Sequence, residues 1–100
     1  MIKVNIIKAE NLIKEIKISG HALYDTYGKD IVCSAVSTMV TTTINNIIAL
    51  DDKGITYEVK DGYILITNND SSMANKLLFV MVNMLTDLAK EYPKNIKIGG

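Results

Sequence analysis

Arginine is absent from this chain of 100 residues, whose eleven cations are all lysine and balance eleven acidic groups to give a net charge of zero. Without the guanidinium fork there is no bidentate grip on phosphate or guanine edges, and a neutral chain has no field to steer a polyanion, so direct nucleic-acid binding is not expected. Tryptophan is missing and there is one phenylalanine, which leaves only five tyrosines for base stacking. A lone cysteine closes no internal disulfide and fits a reducing cytoplasm. One cysteine and one histidine cannot supply the four ligands of a structural zinc, and the acidic residues show no metal spacing. Gly20 and Gly28 lie too far apart for a phosphate-cradling loop and lead to no GK[ST], so neither metal nor cofactor is expected. The opening MIKVNIIKAE has no basic stretch followed by a long apolar run and a small-residue cleavage site, which argues against a secretory signal.

What remains reads as one folded domain. Apolar residues make up 48% and charged residues 22%, while glycine and proline are too sparse for disorder or a collagen-like repeat. A chain of this size buries roughly 60 to 68% of its unfolded surface, enough for one core, and burial between two copies would add to it. Ile31 to Leu50 runs without a charge for the length of a bilayer, but Ser34, Ser37, Thr38, Thr41, Thr42, Thr43, Asn45 and Asn46 are too many polar groups for a lipid-facing helix. We expect a helix buried in protein, with no membrane partner.

Period-two alternation of Ile2, Val4 and Ile6 against Lys3 and Asn5 marks a strand, and Leu12 to Ser19 a second, with Ala9-Glu10-Asn11 joining them as a hairpin. Gly20 to Lys29 reads as a loop. Asp30 stands where an N-cap belongs, and the helix after it carries an apolar stripe of Val32, Ala35 or Val36, Met39 or Val40, Thr43, Ile47 and Leu50. Ile55 to Lys60 and Tyr63 to Thr67 flank Asp61-Gly62, the dipeptide of a type I′ turn, in which both central residues take positive φ. Asn68 to Ser72 offers caps for a second helix with a stripe of Met73, Leu77, Val80 or Met81, Met84, Leu88 and Tyr92, stopped by Pro93. Asn95 to Ile98 adds a short edge strand. The order ββαββα, with a possible last β, defines an α+β fold of two helices on a largely antiparallel sheet.

The sole histidine, His21, and the sole cysteine, Cys33, flank the Gly20 to Lys29 loop, which is short enough to bring them to one edge of the domain. With Asp30 as cap, Cys33 falls in the first helical turn, where unpaired amides and the helix dipole favour a thiolate. A thiolate beside an imidazole is a nucleophile with its general acid and base. Each residue also has an ordinary role. A free cysteine commonly packs as a small hydrophobe, and a loop histidine is commonly solvated. Asp30 either caps the helix or orients the imidazole. Ser37, one turn after Cys33 on the same face, either bonds to substrate or histidine or bonds back to the preceding turn. Tyr24 and Tyr27 either line an apolar peptide site or pack the loop down.

The stretch Gly20-His21-Ala22, followed by Gly28-Lys29-Asp30-Ile31-Val32-Cys33-Ser34-Ala35-Val36-Ser37, resembles the signature of the bacterial ribosomal-processing cysteine proteases, the Prp family. Length, hairpins, second helix and the EYP-N-I ending fit that family along the whole of residues 1–100. The resemblance implies a cytoplasmic homodimeric endopeptidase that removes an N-terminal extension from a large-subunit ribosomal protein precursor, cutting after a pair of aromatic residues. It maps Cys33 to the nucleophile and His21 to the general base, with Asp30 and Ser37 at supporting motif positions. Gly20, Ala22, Leu23, Tyr24, Tyr27 and Gly28 would belong to a substrate loop that is mobile without peptide and closes over it. Leu23 stands where the family often has glycine, and Ser34 where it has alanine.

Two rivals stand against the protease. A non-catalytic dimeric module would bind a ribosomal protein or assembly intermediate without a reactive Cys33. A thiol transferase or redox sensor would lack a resolving cysteine.

Overall fold

A computed structural model describes the backbone of residues 1–20 and 26–100, and the side chains of 1–20 and 31–100. The elements run β1 (Ile2–Ala9), β2 (Leu12–Ser19), α1 (Thr26–Leu50), β3 (Ile55–Lys60), β4 (Tyr63–Asn68), α2 (Ser72–Glu91) and β5 (Ile96–Gly99). The five strands form one sheet in the order β3-β4-β2-β1-β5. All neighbours are antiparallel except β1 and β5, so the expected α+β plan holds, its last strand closing the sheet as a parallel edge.

Register explains which side chains reach the core. The pairs Val4↔Ile18, Ile6↔Ile16, Ile18↔Ile64 and Ile16↔Ile66 stack alternate residues of three strands on one face. Strict alternation would point Ile13 away from that face. A bulge corrects it: Ile7 pairs with Glu15 and Lys8 with Ile13, leaving Lys14 as the extra residue, and Ile13 turns inward. Ile13 keeps Lys8 as its partner on β1 but lies beyond the β2–β4 ladder, which ends at Glu15↔Thr67, and there side chains take over. Its N–H donates to Asn75 Oδ1 at 2.8 Å and its carbonyl accepts Asn68 Nδ2 at 3.2 Å.

Both helices lie on this face. α1 buries Val32, Val36, Val40, Ile44 and Ile47, a set spaced by three and four residues; each such side chain contributes about 1.5–3 kcal/mol on burial. Thr43 and Leu50 do not belong to it. Ile44 takes the core position, Thr43 Oγ1 donates back to the Met39 carbonyl at 2.8 Å, and Leu50, the last residue of the helix, is exposed. Nor is α1 wholly buried, since half of the residues from Ile31 to Leu50 are exposed. Its outer face is Ser34, Ser37, Thr38, Thr41, Thr42, Asn45 and Asn46.

In α2 the buried stripe is Ala74, Leu78, Met81 and Leu85, one residue out of phase with much of the expected set. Met73, Leu77, Leu88 and Tyr92 pack on its margins, and Val80 and Met84 face outward at 54% and 47% exposure. Ser71 caps the helix, its side chain accepting from the Ala74 N–H at 3.1 Å.

The β3–β4 turn also departs from expectation. Gly62 has φ 68°, whereas Asp61 is not left-handed, so the type I′ geometry is not formed. Glycine at the second central position is sufficient for the turn that does form.

Candidate active site

The start of α1 overturns one expectation directly. The helix begins at Thr26, so Thr26 to Lys29 are helical rather than loop, and Asp30 is the fifth helical residue rather than the N-cap. Cys33 is the eighth. At ~1.5 Å per residue it sits about 10 Å from the helix start, beyond the turn over which free amides and the dipole act. The first-turn account of its reactivity therefore fails.

What surrounds Cys33 instead is a cleft of about 280 Å³. One wall is a flank of α1, where Cys33, Val36, Ser37 and Thr41 recur at helical spacing. The opposite wall is the β3–β4 hairpin from Val59 to Ile64, and Ile2, Ile18 and Gly20 close the inner end. Cys33 is half-buried there, and Ser37, one turn on, is exposed. The lining is mainly apolar, suited to an extended chain with apolar side chains.

Gly20 is fixed in this cleft. Its N–H donates to the Gly62 carbonyl at 2.9 Å, its φ is +90°, and a Cβ there would overlap the Met1 carbonyl oxygen. Strand β2 thus delivers the chain to the cleft one residue before His21. His21, Ala22, Leu23 and Tyr24 lie outside the described residues, as does the expected closure of their segment over a peptide. Tyr27, Gly28 and Asp30 fall on the opening turns of α1. The structure accordingly brings together Gly20, Cys33 and Ser37 of the expected set.

The hairpin wall was missed from sequence. Its signal was present in Tyr57 and Val59, apolar residues on the face of β3 that alternation turns toward the helices. Beside it, Lys60 Nζ pairs with Glu58 Oε1 at 3.0 Å, and that hydrogen bond raises the Lys60 pKa. Among the described residues no three His, Cys, Asp or Glu side chains gather to hold a metal ion.

A thiol opening from a helix into an apolar cleft, on an α+β domain with a five-stranded sheet, is the framework of a cysteine protease. Comparison with known proteins gives the same class. The profile of the family described as cysteine protease Prp matches residues 1–97. A ribosomal processing cysteine protease Prp from Staphylococcus aureus is 33% identical over 105 residues, covering 98% of this chain and 97% of its own. Two crystal structures of the essential S. aureus ribosomal processing protease Prp superpose on the fold. The complex with a covalently linked product peptide has TM-score 0.89 and 30% identity, over 99% of this chain and 98% of its own. The complex with a substrate peptide has TM-score 0.88 and 28% identity, over the full length of both. The chain belongs to the cysteine protease Prp family.

Proposed function

We propose that this protease removes the N-terminal extension of a large-subunit ribosomal protein precursor, with Cys33 as nucleophile and His21 as general base and acid. The single observation that carries the reading is the placement of Cys33, half-buried on the wall of an apolar cleft, in a chain whose S. aureus relative is a ribosomal processing protease that holds a product peptide covalently.

In the proposed reaction, His21 takes the Cys33 proton and the sulfur attacks the scissile carbonyl carbon. The tetrahedral intermediate collapses with His21 protonating the leaving amine, which departs as the new N-terminus of the shortened ribosomal protein. Water, deprotonated by His21, then cleaves the thioester, releases the extension and restores the thiol. Proton transfer by a placed imidazole contributes typically 10²–10⁴-fold to such a step. Asp30 and Ser37 support it, Ser37 from a position on the cleft wall one turn beyond Cys33. An aromatic pair before the scissile bond suits the cleft lining of Ile18, Val36, Val59 and Ile64. The same proposal includes a cytoplasmic homodimer. A lone thiol persists as nucleophile in a reducing compartment, and outward-facing Val80 and Met84 would gain from cover by a second copy.

The test is incubation of the host's precursor with the wild type, Cys33→Ala and His21→Ala, weighing the products by mass spectrometry. Wild type should release the extension. Cys33→Ala should release none while keeping its circular dichroism, and His21→Ala should lose about 10²-fold or more. Undiminished cleavage by Cys33→Ala would refute the assignment.

A further inference from the structure

Strand β3 ends the sheet, and among the described residues nothing pairs with its outer edge. A helix is about 10 Å across and strands are spaced about 4.8 Å, so two helices cover roughly four strands and leave the fifth overhanging. On β3 the residues turned toward the helix layer are covered only at the start of the strand: Ile55 is buried, whereas Tyr57 is 48% exposed and Val59 60%. These two partner Ile66 and Ile64 of β4, so they continue the core face outward past α1.

The register also fixes which backbone groups face the open edge. A two-residue turn closes on a hydrogen-bonded pair, here Lys60↔Tyr63, and the bonded pairs recur every second residue. The Asn69 N–H donates to the Gly54 carbonyl at 2.9 Å, in the same even-numbered set. The N–H and C=O groups of Tyr57 and Val59 therefore point away from β4. They lie on a strand whose six pairs run without a bulge and without proline. Natural edges are commonly blunted by such devices. The charges on this strand, Glu58 and Lys60, alternate onto the face opposite to Tyr57 and Val59.

This edge runs into the Cys33 cleft, because Val59 belongs to both. We propose that the edge of β3 binds the substrate as an added strand: an extended peptide pairs with the outward groups of Tyr57 and Val59, and its alternate apolar side chains drop over Val59 into the cleft beside Cys33. The proposal rests on the protease reading above and specifies how the substrate is held. Main-chain pairing of this kind supplies affinity largely independent of sequence, and the cleft selects side chains at every second position.

The experiment is Val59→Pro, compared with Val59→Ala, on a synthetic peptide spanning the host precursor's extension and cleavage point. Proline is accepted on an edge strand where its missing N–H faces solvent, so β3–β4 pairing survives. Val59→Pro should raise KM at least about tenfold beyond Val59→Ala, with kcat, circular dichroism and the rate of Cys33 alkylation close to those of Val59→Ala. Single N-methylation along the peptide should raise KM at alternate positions only, and should add nothing at the partner of Val59 when tested on Val59→Pro. Unchanged KM with Val59→Pro, or N-methylation effects without two-residue periodicity, would overturn the proposal. So would a Val59→Pro variant that alters the oligomeric state and leaves KM alone, since the edge would then be an interface between copies. If wild type does not cleave the peptide, the protease reading fails separately. Anisotropy of the labelled peptide on Cys33→Ala, with and without Val59→Pro, still reads the edge.

Discussion

The Gly20 N–H donates to the Gly62 carbonyl at 2.9 Å, tying the end of β2 to the hairpin turn that forms one wall of the Cys33 cleft. The bond extends the β2–β4 ladder by one step past Ser19↔Tyr63. Gly20 is therefore a structural residue as well as the neighbour of His21. Its φ of +90° is open to glycine, and a side chain would meet the Met1 carbonyl. Gly20→Ala should lower stability by about 1–3 kcal/mol, the usual cost of a backbone held in such a region. Urea unfolding measures this. A midpoint matching wild type would show that the backbone relaxes there without cost.

The Lys60–Glu58 contact makes a prediction about pH. Both side chains are solvent-accessible, so the pair contributes little, and salt should screen it. Its sign is nonetheless defined. Glu58 raises the folded pKa of Lys60 above 10.5, so the contribution is full below that value and is lost as pH rises through the folded pKa. Glu58→Gln should lower the melting temperature slightly at neutral pH, and the gap should close in strongly alkaline buffer. A gap that widened with pH would contradict the assignment of cause.

Much of this was legible from residues taken one after another. Alternation of Ile2, Val4 and Ile6, and the Asp61-Gly62 dipeptide, are local signals, and they located β1 and the second hairpin. Cys33 and Ser37 were linked by helical spacing, and the structure puts both on one cleft wall. The errors share a cause. Asp30 has a good capping side chain, but nothing in a single residue's chemistry says that the helix starts earlier, at Thr26. The parity of Ile13 depends on a bulge whose partner is another strand. The Val59 wall required knowing that β3 lies outermost, which pairing between distant segments decides.

The phase of α2 is testable because two neighbours differ in burial. Leu85 is fully buried and Met84 is 47% exposed, although both are apolar and sit in a helix rich in such residues. Leu85→Ala should cost about 2–5 kcal/mol, the range for emptying a core site of this size. Met84→Lys should change the stability of the separate protomer, measured at a dilution where copies are apart, by no more than about 0.5 kcal/mol, as for an exposed position. Thermal denaturation of the two variants separates the assignments. Equal losses would place Met84 in the core and return the stripe to the phase read from sequence.

Asn68 ends β4 with its side chain fully buried. Its Nδ2 donates to the carbonyls of Ile13 and Ser71 at 3.2 and 3.3 Å, and its Oδ1 accepts from the Ser71 N–H at 2.9 Å. One side chain thus satisfies the Ile13 carbonyl beyond the end of the β2–β4 ladder and positions the cap of α2. Asn68→Ala leaves these groups without partners, each costing about 1–3 kcal/mol if water does not replace the amide, and a total near 3 kcal/mol is expected. Asn68→Asp should be worse at neutral pH, because a carboxylate would face two carbonyls it cannot donate to. Its pKa should be raised by that environment, so acid should recover part of the loss by restoring a donor. Urea titrations of both variants at neutral and mildly acidic pH make the comparison. An Asn68→Asp penalty independent of pH would mean that the site admits water enough to solvate the charge.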